Sequence, residues 1–422
     1  MSVASPFDRI DRARWSRLAD GIAALTAISL PWSTSATSIL LVVWIAALIP
    51  VLNFDAVRRE VTTMAGGLPV LLWLLGACGM VWADATWAER LEGLGGFHKL
   101  LLIPLFLAQF RRSENVLWVI WGFFASCIVL LIVSALVAFV PAMTKLVNVP
   151  GVPVKDYIAQ SAWFQLCLFG LLYRAFEPPL AWRRALMLTL LAAAFLADIV
   201  YVASSRTTFV LMPVLAVALG ARRFGWKGGV AAVVLASLLA AALWSSSPYL
   251  RERLGGLLAE MRQDRSNEMQ TSAGQRLEFW RKSAEFVSEA PAFGNGTGSI
   301  SPLFRKATAG QTGAAGVAAS NPHQQTFAVA IQIGLAGAAI LWAMWIAHLF
   351  MFRAPGLVAW LGLVLVLQNI VGSLFNSHLF DFNQGWLYVI GVGVLGGAAL
   401  RGRNAPVPAS GAGGGASHQR PV

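Results

Sequence analysis

Residues 115–141, NVLWVIWGFFASCIVLLIVSALVAFVP, contain no charged side chain and are long enough to cross the ~30 Å hydrocarbon core of a bilayer as one helix. This stretch is one of twelve apolar runs that recur from end to end of the 422-residue chain. The runs lie at about 18–32, 37–52, 66–83, 96–110, 115–141, 157–173, 185–203, 207–220, 228–246, 322–352, 356–375 and 385–400. Because lipid offers no partner for unpaired backbone groups, each run is predicted to be helical. The sequence therefore predicts an all-α, polytopic integral membrane bundle of about 12 transmembrane helices.

The distribution of basic residues predicts the orientation of the bundle. On one side they flank the runs in pairs such as Arg58-Arg59 and Arg222-Arg223, and this side carries 18 of the 32 Lys and Arg residues. The short loops opposite carry only Arg90, Lys99, Lys145, Lys155 and Arg206. Since positive residues concentrate on the cytoplasmic side, both termini are predicted to be cytoplasmic. The net charge of +12 is mostly accounted for by flanks facing anionic lipid, so nucleic acid is not expected as a partner.

The same pattern divides the chain into four parts. These are 1–246 with helices 1–9, a large outward loop at 247–320, 321–403 with helices 10–12, and a cytoplasmic tail at 404–422 whose composition predicts disorder. In the loop, residues 250–264 have the apolar spacing of an amphipathic helix, and a second helix is indicated from Leu277 to Val287, closed by Pro291. The glycine-rich stretch 293–320 is expected to be a mobile loop or lid.

His323 lies where the long loop returns to the membrane. Ser320 or Asn321 fits a helix N-cap and Pro322 fits the first helical position, so the tenth helix is predicted to begin almost at His323. The positive end of a helix dipole disfavours imidazolium and attracts anions. His323 is therefore a candidate proton acceptor beside an anionic substrate. The alternative is a capping or interfacial histidine.

Two arginines are the candidate anion-binding residues. Arg206 lies where two apolar runs meet in a very short outward hairpin, and Arg276 opens the second helix of the long loop. A guanidinium fixed at the membrane surface suits phosphate, which it binds in bidentate geometry. The alternatives are that Arg206 snorkels to the outer headgroups, and that Arg276 is a solvated charge paired with Glu278 or Glu285.

Other polar residues are weaker candidates. His378, in Asn376-Ser377-His378, and Asp381 occupy the last outward loop and could add polar contacts, although a solvated loop is the commoner explanation. Asp198 lies within an apolar run, where a carboxylate indicates a functional site or an ion pair.

The sequence lacks the motifs that hold nucleotides or metals. It has no P-loop, no HExxH, no GxSxG and no paired acidic motif on an outward loop. We therefore expect neither a metal nor a cofactor, and any phosphate bound here is expected to be neutralised by arginine.

Three short motifs give the chain a resemblance to a known family. They are Ser205-Arg206-Thr207, Gly274-Gln275-Arg276 followed by Phe279-Trp280, and Asn321-Pro322-His323. With about twelve spans and one large loop before the third-last span, the chain resembles the bacterial O-antigen ligases, within the O-antigen ligase and polymerase superfamily of polytopic membrane glycosyltransferases. Family members often show His-Asn-x-x-Leu at the last motif, whereas here Gln324 follows His323.

The resemblance implies a GT-C-like bundle in the bacterial inner membrane, with its active site and large loop on the periplasmic face. It implies metal-independent, inverting transfer of a completed polysaccharide from undecaprenyl diphosphate to a hydroxyl of lipid A-core. Arg206 and Arg276 are then expected to bind the diphosphate, and His323 to take the proton of the attacking hydroxyl. Gln275, Asn321 and Gln324 are candidate supporting residues.

Three other functions stay open. An O-antigen polymerase of the same superfamily uses a second undecaprenyl-linked chain as the acceptor, and a protein O-oligosaccharyltransferase uses a protein hydroxyl. Both fit the same residues. A transporter of lipid-linked glycans would need charges buried along the spans, whereas here the candidate binding residues are predicted to lie on the outer face.

The charge distribution predicts that alkaline phosphatase fused at Gly402 is inactive, because that enzyme needs the periplasm and the C-terminus is expected to be cytoplasmic. The matched fusion at Gly310, in the outward loop, is expected to be active. Phosphatase activity from the Gly402 fusion would contradict the even number of spans.

Overall fold

The chain is described by a computed structural model that covers residues 11–145, 147–154, 156–203, 205–246 and 272–403. Every regular element in these residues is a helix, which confirms the all-α prediction. The helices are α1 (Arg12–Ser29), α2 (Thr34–Leu48), α3 (Phe54–Val61), α4 (Met64–Gly79), α5 (Trp87–His98), α6 (Leu102–Phe110), α7 (Val116–Phe139), α8 (Pro141–Thr144), α9 (Tyr157–Ala175), α10 (Trp182–Tyr201), α11 (Arg206–Ser246), α12 (Ser272–Glu289), α13 (Ile300–Thr308), α14 (Gln325–Met351), α15 (Leu357–Gly372) and α16 (Phe382–Arg403).

The architecture is that of a polytopic helical membrane protein. By length and composition, seven helical segments among the described residues are able to cross a bilayer, or eight if the bent pair α3 and α4 forms one span. All twelve predicted apolar runs fall on helices. The eighth and ninth are the two halves of α11, which is broken at Gly225 (φ 67°). A count of twelve crossings stays a prediction.

Large aromatic and aliphatic side chains form the core that holds the bundle together. Trp44, Trp163, Trp345 and Trp360 are fully buried in one continuous apolar cluster. The indole N–H groups of three of them donate hydrogen bonds, for example from Trp360 to the carbonyl of Phe169 at 2.9 Å. The buried rings therefore fix both the packing and the register of neighbouring helices.

A break in α14 determines how the long loop between α11 and α14 is attached. Helical geometry is lost at Ile333 and Gly334, and residues 291–298, which we call the inserted segment, fill the gap. Four backbone hydrogen bonds cross the gap, from the N–H groups of Asn295, Gly296, Leu335 and Ala336 to the carbonyls of Ile331 (2.8 Å), Gln332 (2.9 Å), Pro291 (2.8 Å) and Ala292 (3.3 Å). Backbone groups freed by the break thus find partners inside the protein, as a membrane environment demands.

The inserted segment also closes the end of α4. The N–H of Thr297 donates to the carbonyl of Gly79 at 3.0 Å, and its hydroxyl donates to the carbonyl of Gly76 at 2.6 Å. Gly296 has a φ of 91°, and a Cβ there would lie 2.3 Å from the Cα of Ala83. The prediction of a mobile loop is therefore wrong for these residues, because the glycines permit close docking of the backbone.

The rest of the described loop packs on a small core of its own. Helix α12 confirms the second predicted loop helix, and α13 was not predicted. The buried members of this core are Phe279, Phe286, Ile300, Phe304, Ala319, Ala328 and Ile331. Because two of them belong to α14, the loop helices are joined to the membrane bundle by packing as well as by the inserted segment. The predicted helix at 250–264 and the tail at 404–422 lie outside the described residues.

We expect Gly334→Ala to destabilise the protein. Gly334 has φ 69° and ψ −171°, a conformation essentially restricted to glycine, and an added Cβ would lie 2.2 Å from the carbonyl oxygen of Ala292. Such strain costs about 1–3 kcal/mol. Thermal unfolding of the purified protein in detergent should show a lower Tm. The matched control is Gly95→Ala in α5, where an added Cβ meets no atom within 4 Å. Equal Tm values for the two variants would contradict this account of the break.

Candidate active site

Arg206 is held at the end of two packed helices. It is the first residue of α11 and is exposed, whereas its neighbours Ser205 and Thr208 are buried. The Thr208 hydroxyl shares a 2.9 Å hydrogen bond with that of Ser161 on α9, and the Thr208 carbonyl accepts from the amide of Gln165 at 3.3 Å. These contacts fix the first turn of α11, so the guanidinium projects from a rigid base.

Arg276 lies near Arg206, although 69 residues separate them in the sequence. Burial lowers the pKa of the half-buried Arg276, and the positive charge of Arg206 lowers it further, while Tyr157 acts in the opposite sense. Arg206 and the phenol of Tyr157, at the N-terminus of α9, are therefore close enough to Arg276 for their charges to act on its guanidinium. Nothing in the sequence singles out Tyr157 beyond its place at the outer end of an apolar run.

The alternative ion pairs of Arg276 are not formed. Arg281, five residues further along α12, lies 2.6 Å from Glu278 and also pairs with Glu285. Within the ranges that the structure describes, neither Arg206 nor Arg276 has a carboxylate at ion-pair distance. Two neighbouring cations that have no counter-ion among the described residues repel each other, and an anion bound between them would relieve that repulsion.

The backbone at His323 differs from the prediction. Helix α14 begins at Gln325, and its N-cap is Gln324, whose side-chain oxygen accepts from the N–H of Phe327 at 2.6 Å. His323 precedes this cap and has a φ of 54°, in the left-handed region. Its N–H donates to the side-chain oxygen of Asn321 at 2.8 Å. The predicted start of the helix was wrong because Asn321 stabilises a turn before the helix rather than the helix itself.

The imidazole of His323 is enclosed on two sides. Its ring stacks on that of Phe279, with centroids 6.1 Å apart and planes inclined by 21°, and Nδ1 lies 3.0 Å from the side-chain oxygen of Asn376. Phe279 is one turn beyond Arg276, so both residues project from the same side of α12. The spacing of the loop motif thus presents a cation and an aromatic ring to His323 together.

The electrostatics favour a neutral imidazole. Burial lowers the pKa of His323, the positive charge of Arg276 lowers it further, and the hydrogen bond to Asn376 raises it. The lowered pKa of His323 agrees with the neutral ring expected from the sequence. Its physical cause is chiefly burial, whereas the sequence argument rested on the helix dipole.

The supporting residues fall into different roles. Asn321 binds the backbone of His323, and Gln324 caps α14. Gln275 is half-buried beside Arg276, and its side chain makes no hydrogen bond to another described residue. His378 is buried against Gly372, and burial lowers its pKa to about 4. These positions separate residues that shape the backbone from Arg206, Arg276 and His323, the three candidates for binding and catalysis.

Asp198 is a structural residue. Its carboxylate accepts from the amide of Gln160 on α9 at 3.2 Å and contacts the hydroxyl of Ser134 on α7. The Ser134 hydroxyl lies 2.7 Å from the carbonyl of Gly151. This buried cluster joins α7, α9 and α10 below the site and leaves Asp198 satisfied by neutral partners.

Fold and site together define a polytopic helical membrane protein with a cationic, histidine-containing site at one end of its bundle. The family model described as O-antigen ligase matches residues 190–342, a segment that contains Arg206, Arg276 and His323. This match confirms the resemblance drawn from the three motifs and indicates a membrane glycosyltransferase-like enzyme. No curated protein matches the chain.

Proposed function

We propose that the protein transfers O-antigen polysaccharide from undecaprenyl diphosphate to a hydroxyl of lipid A-core, at the periplasmic face of the bacterial inner membrane. One observation carries the proposal. Arg206 and Arg276, unpaired with any carboxylate among the described residues, lie together, and His323 lies close enough to Arg276 for its pKa to be affected. The two arginines would bind the negatively charged diphosphate of the donor. The nearby histidine would accept the proton of the attacking hydroxyl.

The arginine pair accounts for departure of the diphosphate. As the bond between the anomeric carbon and the diphosphate oxygen breaks, negative charge grows on that oxygen. Guanidinium groups already in place stabilise this charge without reorganisation, and their planar forks match phosphate oxygens. The reaction is therefore proposed to be independent of a metal. Among the described residues, no three His, Cys, Asp or Glu side chains are grouped as metal ligands.

His323 accounts for activation of the acceptor. The acceptor oxygen attacks the anomeric carbon on the face opposite the leaving diphosphate, and its proton passes to the neutral imidazole. One bond forms as one breaks, so the sugar configuration is inverted. Undecaprenyl diphosphate leaves as an anion between the two arginines, and the imidazolium then releases its proton to water.

Both substrates are anchored in lipid, which suits a site at the end of a helical bundle. We propose that both termini are cytoplasmic, that residues 247–320 are periplasmic, and that both substrates enter laterally from the bilayer. The identity of the acceptor is tested with purified protein, an undecaprenyl-diphosphate-linked glycan and three separate acceptors: lipid A-core, a second lipid-linked glycan and a protein hydroxyl. Transfer to lipid A-core alone supports the proposal. Transfer only to one of the other acceptors would replace it with the polymerase or protein-glycosylation function.

We expect Arg206→Lys and Arg276→Lys each to lower the rate of transfer about tenfold or more. Lysine keeps the charge but loses the bidentate fork, and hydrogen bonds to charged groups contribute roughly 1.5–3 kcal/mol. Initial rates in vitro measure the effect. The matched control is Arg281→Lys, on α12 but paired with Glu278 in solvent, which should retain its rate. Full activity in both test variants would reduce Arg206 and Arg276 to surface charges.

We expect His323→Ala to lower the rate by about 10²–10⁴-fold, the usual cost of removing a positioned base. In the wild type the rate should fall on the acid side as the imidazole becomes protonated. Because the pKa of His323 is lowered, that decline should lie below the ordinary value of about 6.5. The variant should still insert and bind donor, and its acid decline should disappear. A wild-type rate in purified His323→Ala would rule out this base.

A further inference from the structure

The loop between α15 and α16 determines which nitrogen of His323 carries the proton. The side-chain oxygen of Asn376 lies 3.0 Å from Nδ1 of His323. An amide oxygen has no hydrogen to give, so Nδ1 must be the protonated nitrogen. The lone pair is then on Nε2, for which the described residues provide no hydrogen-bond partner. Nε2 is therefore the nitrogen able to take a proton from a substrate.

The orientation of the Asn376 amide is itself fixed from both ends. Its oxygen accepts from the backbone N–H of Ser377 at 2.9 Å, and its nitrogen donates to a carboxylate oxygen of Asp381 at 3.4 Å. A backbone N–H can only donate and a carboxylate can only accept. If the amide were reversed, its NH2 group would face the N–H of Ser377, and its oxygen would face the carboxylate of Asp381. The oxygen is accordingly the atom that faces His323.

A second asparagine joins this arrangement to the strained backbone of His323. The side-chain oxygen of Asn321 accepts both the N–H of His323 at 2.8 Å and the hydroxyl of Ser377 at 2.7 Å. The amide nitrogen of Asn321 lies 3.4 Å from the oxygen of Asn376. A left-handed φ at a non-glycine residue persists only where its surroundings enforce it. Here the loop that orients the ring also holds the backbone.

We propose that Asn376 is a positioning residue that selects the Nδ1–H tautomer of His323, and that it does so as a neutral amide in order to keep the base uncharged. The proposal rests on the proposed role of His323 as the base. It assigns no contact between Asn376 and substrate. A carboxylate at this position would orient the ring equally well but would stabilise imidazolium, which cannot accept a proton.

The charges around the ring make the neutrality of Asn376 significant. Arg276 on α12 disfavours imidazolium, and Arg206 and Tyr157 lie beyond it. On the other side, Asp381 contacts Asn376 rather than His323, and the turn also contains His378. Asn376 thus separates the ring from the nearest carboxylate described in this loop.

The test is the pH profile of Asn376→Asp. The aspartate keeps an oxygen acceptor for Nδ1–H and adds a negative charge next to the ring, which raises a histidine pKa by about one unit or more. In vitro transfer to lipid A-core from the lipid-linked glycan should therefore lose its rate at a pH at least one unit higher than in the wild type. At alkaline pH the variant should transfer within a few-fold of the wild-type rate. A purely structural asparagine would lower the rate without moving the profile.

The matched control is Asn148→Asp, the same substitution at an exposed asparagine in the outward loop before α9. Its pH profile should equal that of the wild type. The proposal is overturned if the pH profile of the control shifts as far as that of Asn376→Asp. It is also overturned if the pH profile of Asn376→Asp does not shift.

A second variant keeps the proposal testable if Asn376→Asp does not fold. Asn376→Ala removes the acceptor, so the ring is free to rotate and to change tautomer, and misplacement of a catalytic group costs about 10²-fold. We expect kcat to fall by that factor while KM for the lipid-linked glycan and the Tm stay unchanged. A wild-type kcat overturns the proposal. A fall in kcat that is accompanied by a fall in Tm also overturns it.

His323→Ala, measured alongside, separates this proposal from the proposed function. If His323→Ala is inactive and the Asn376 variants behave as the wild type, the base assignment stands and the role of Asn376 is wrong. If His323→Ala transfers glycan at the wild-type rate, the base assignment fails and the role of Asn376 fails with it.

Discussion

The break in α14 is the feature on which the arrangement of the site depends. A helix that loses its hydrogen bonds within a membrane protein must find other partners, and the inserted segment, residues 291–298, supplies them over 2.8–3.3 Å. The same segment closes the end of α4 through Thr297. One short stretch of the outward loop is therefore part of the scaffold of the bundle. Because α12 leads directly into this stretch, the position of Arg276 is tied to the helix that follows His323.

The site is consequently assembled by elements that approach from different parts of the chain. Helix α11 supplies Arg206, α12 supplies Arg276 and Phe279, and the turn before α14 supplies His323. The loop after α15 supplies Asn376. Contacts away from the site hold these elements in place. Thr208 binds α11 to α9, the small core around Phe304 holds α12, and the hydrogen bonds of Asn321 hold the turn that contains His323. Of these candidate residues, Arg206 is exposed and Arg276 and His323 are half-buried, whereas the supporting side chains of Thr208 and Phe304 are buried.

The sequence predicts the helices well and the site in part, for distinct physical reasons. The helical structure of apolar runs such as 115–141 follows from their composition alone, and each run is a helix in the structure. Arg206 and His323 were recognisable because a basic group on the predicted outer face is unusual, and Arg276 because it lies in one of the three motifs that carry the family resemblance. The break at Gly334 was not recognisable from the sequence, because it depends on hydrogen-bond partners about 40 residues earlier in the chain. The role of Asn376 depends on its 3.0 Å contact with His323 across 53 residues, which no local pattern reveals. Likewise, Asn321 has the right residue type for a cap, but Gln324 is the residue that caps the helix.

Under the proposed function, the charges of the site would link the basicity of the half-buried His323 to the presence of donor. Without an anion, Arg276 and burial both favour the neutral ring, and Asn376 adds no negative charge to oppose them. A bound diphosphate would offset the field of the arginines, so imidazolium would become easier to form at the moment when a hydroxyl must lose its proton. In the proposed reaction, the same diphosphate would carry additional negative charge as the leaving group. A donor bound by the arginines would also increase the basicity of His323, so proton removal and departure of the diphosphate would be favoured together.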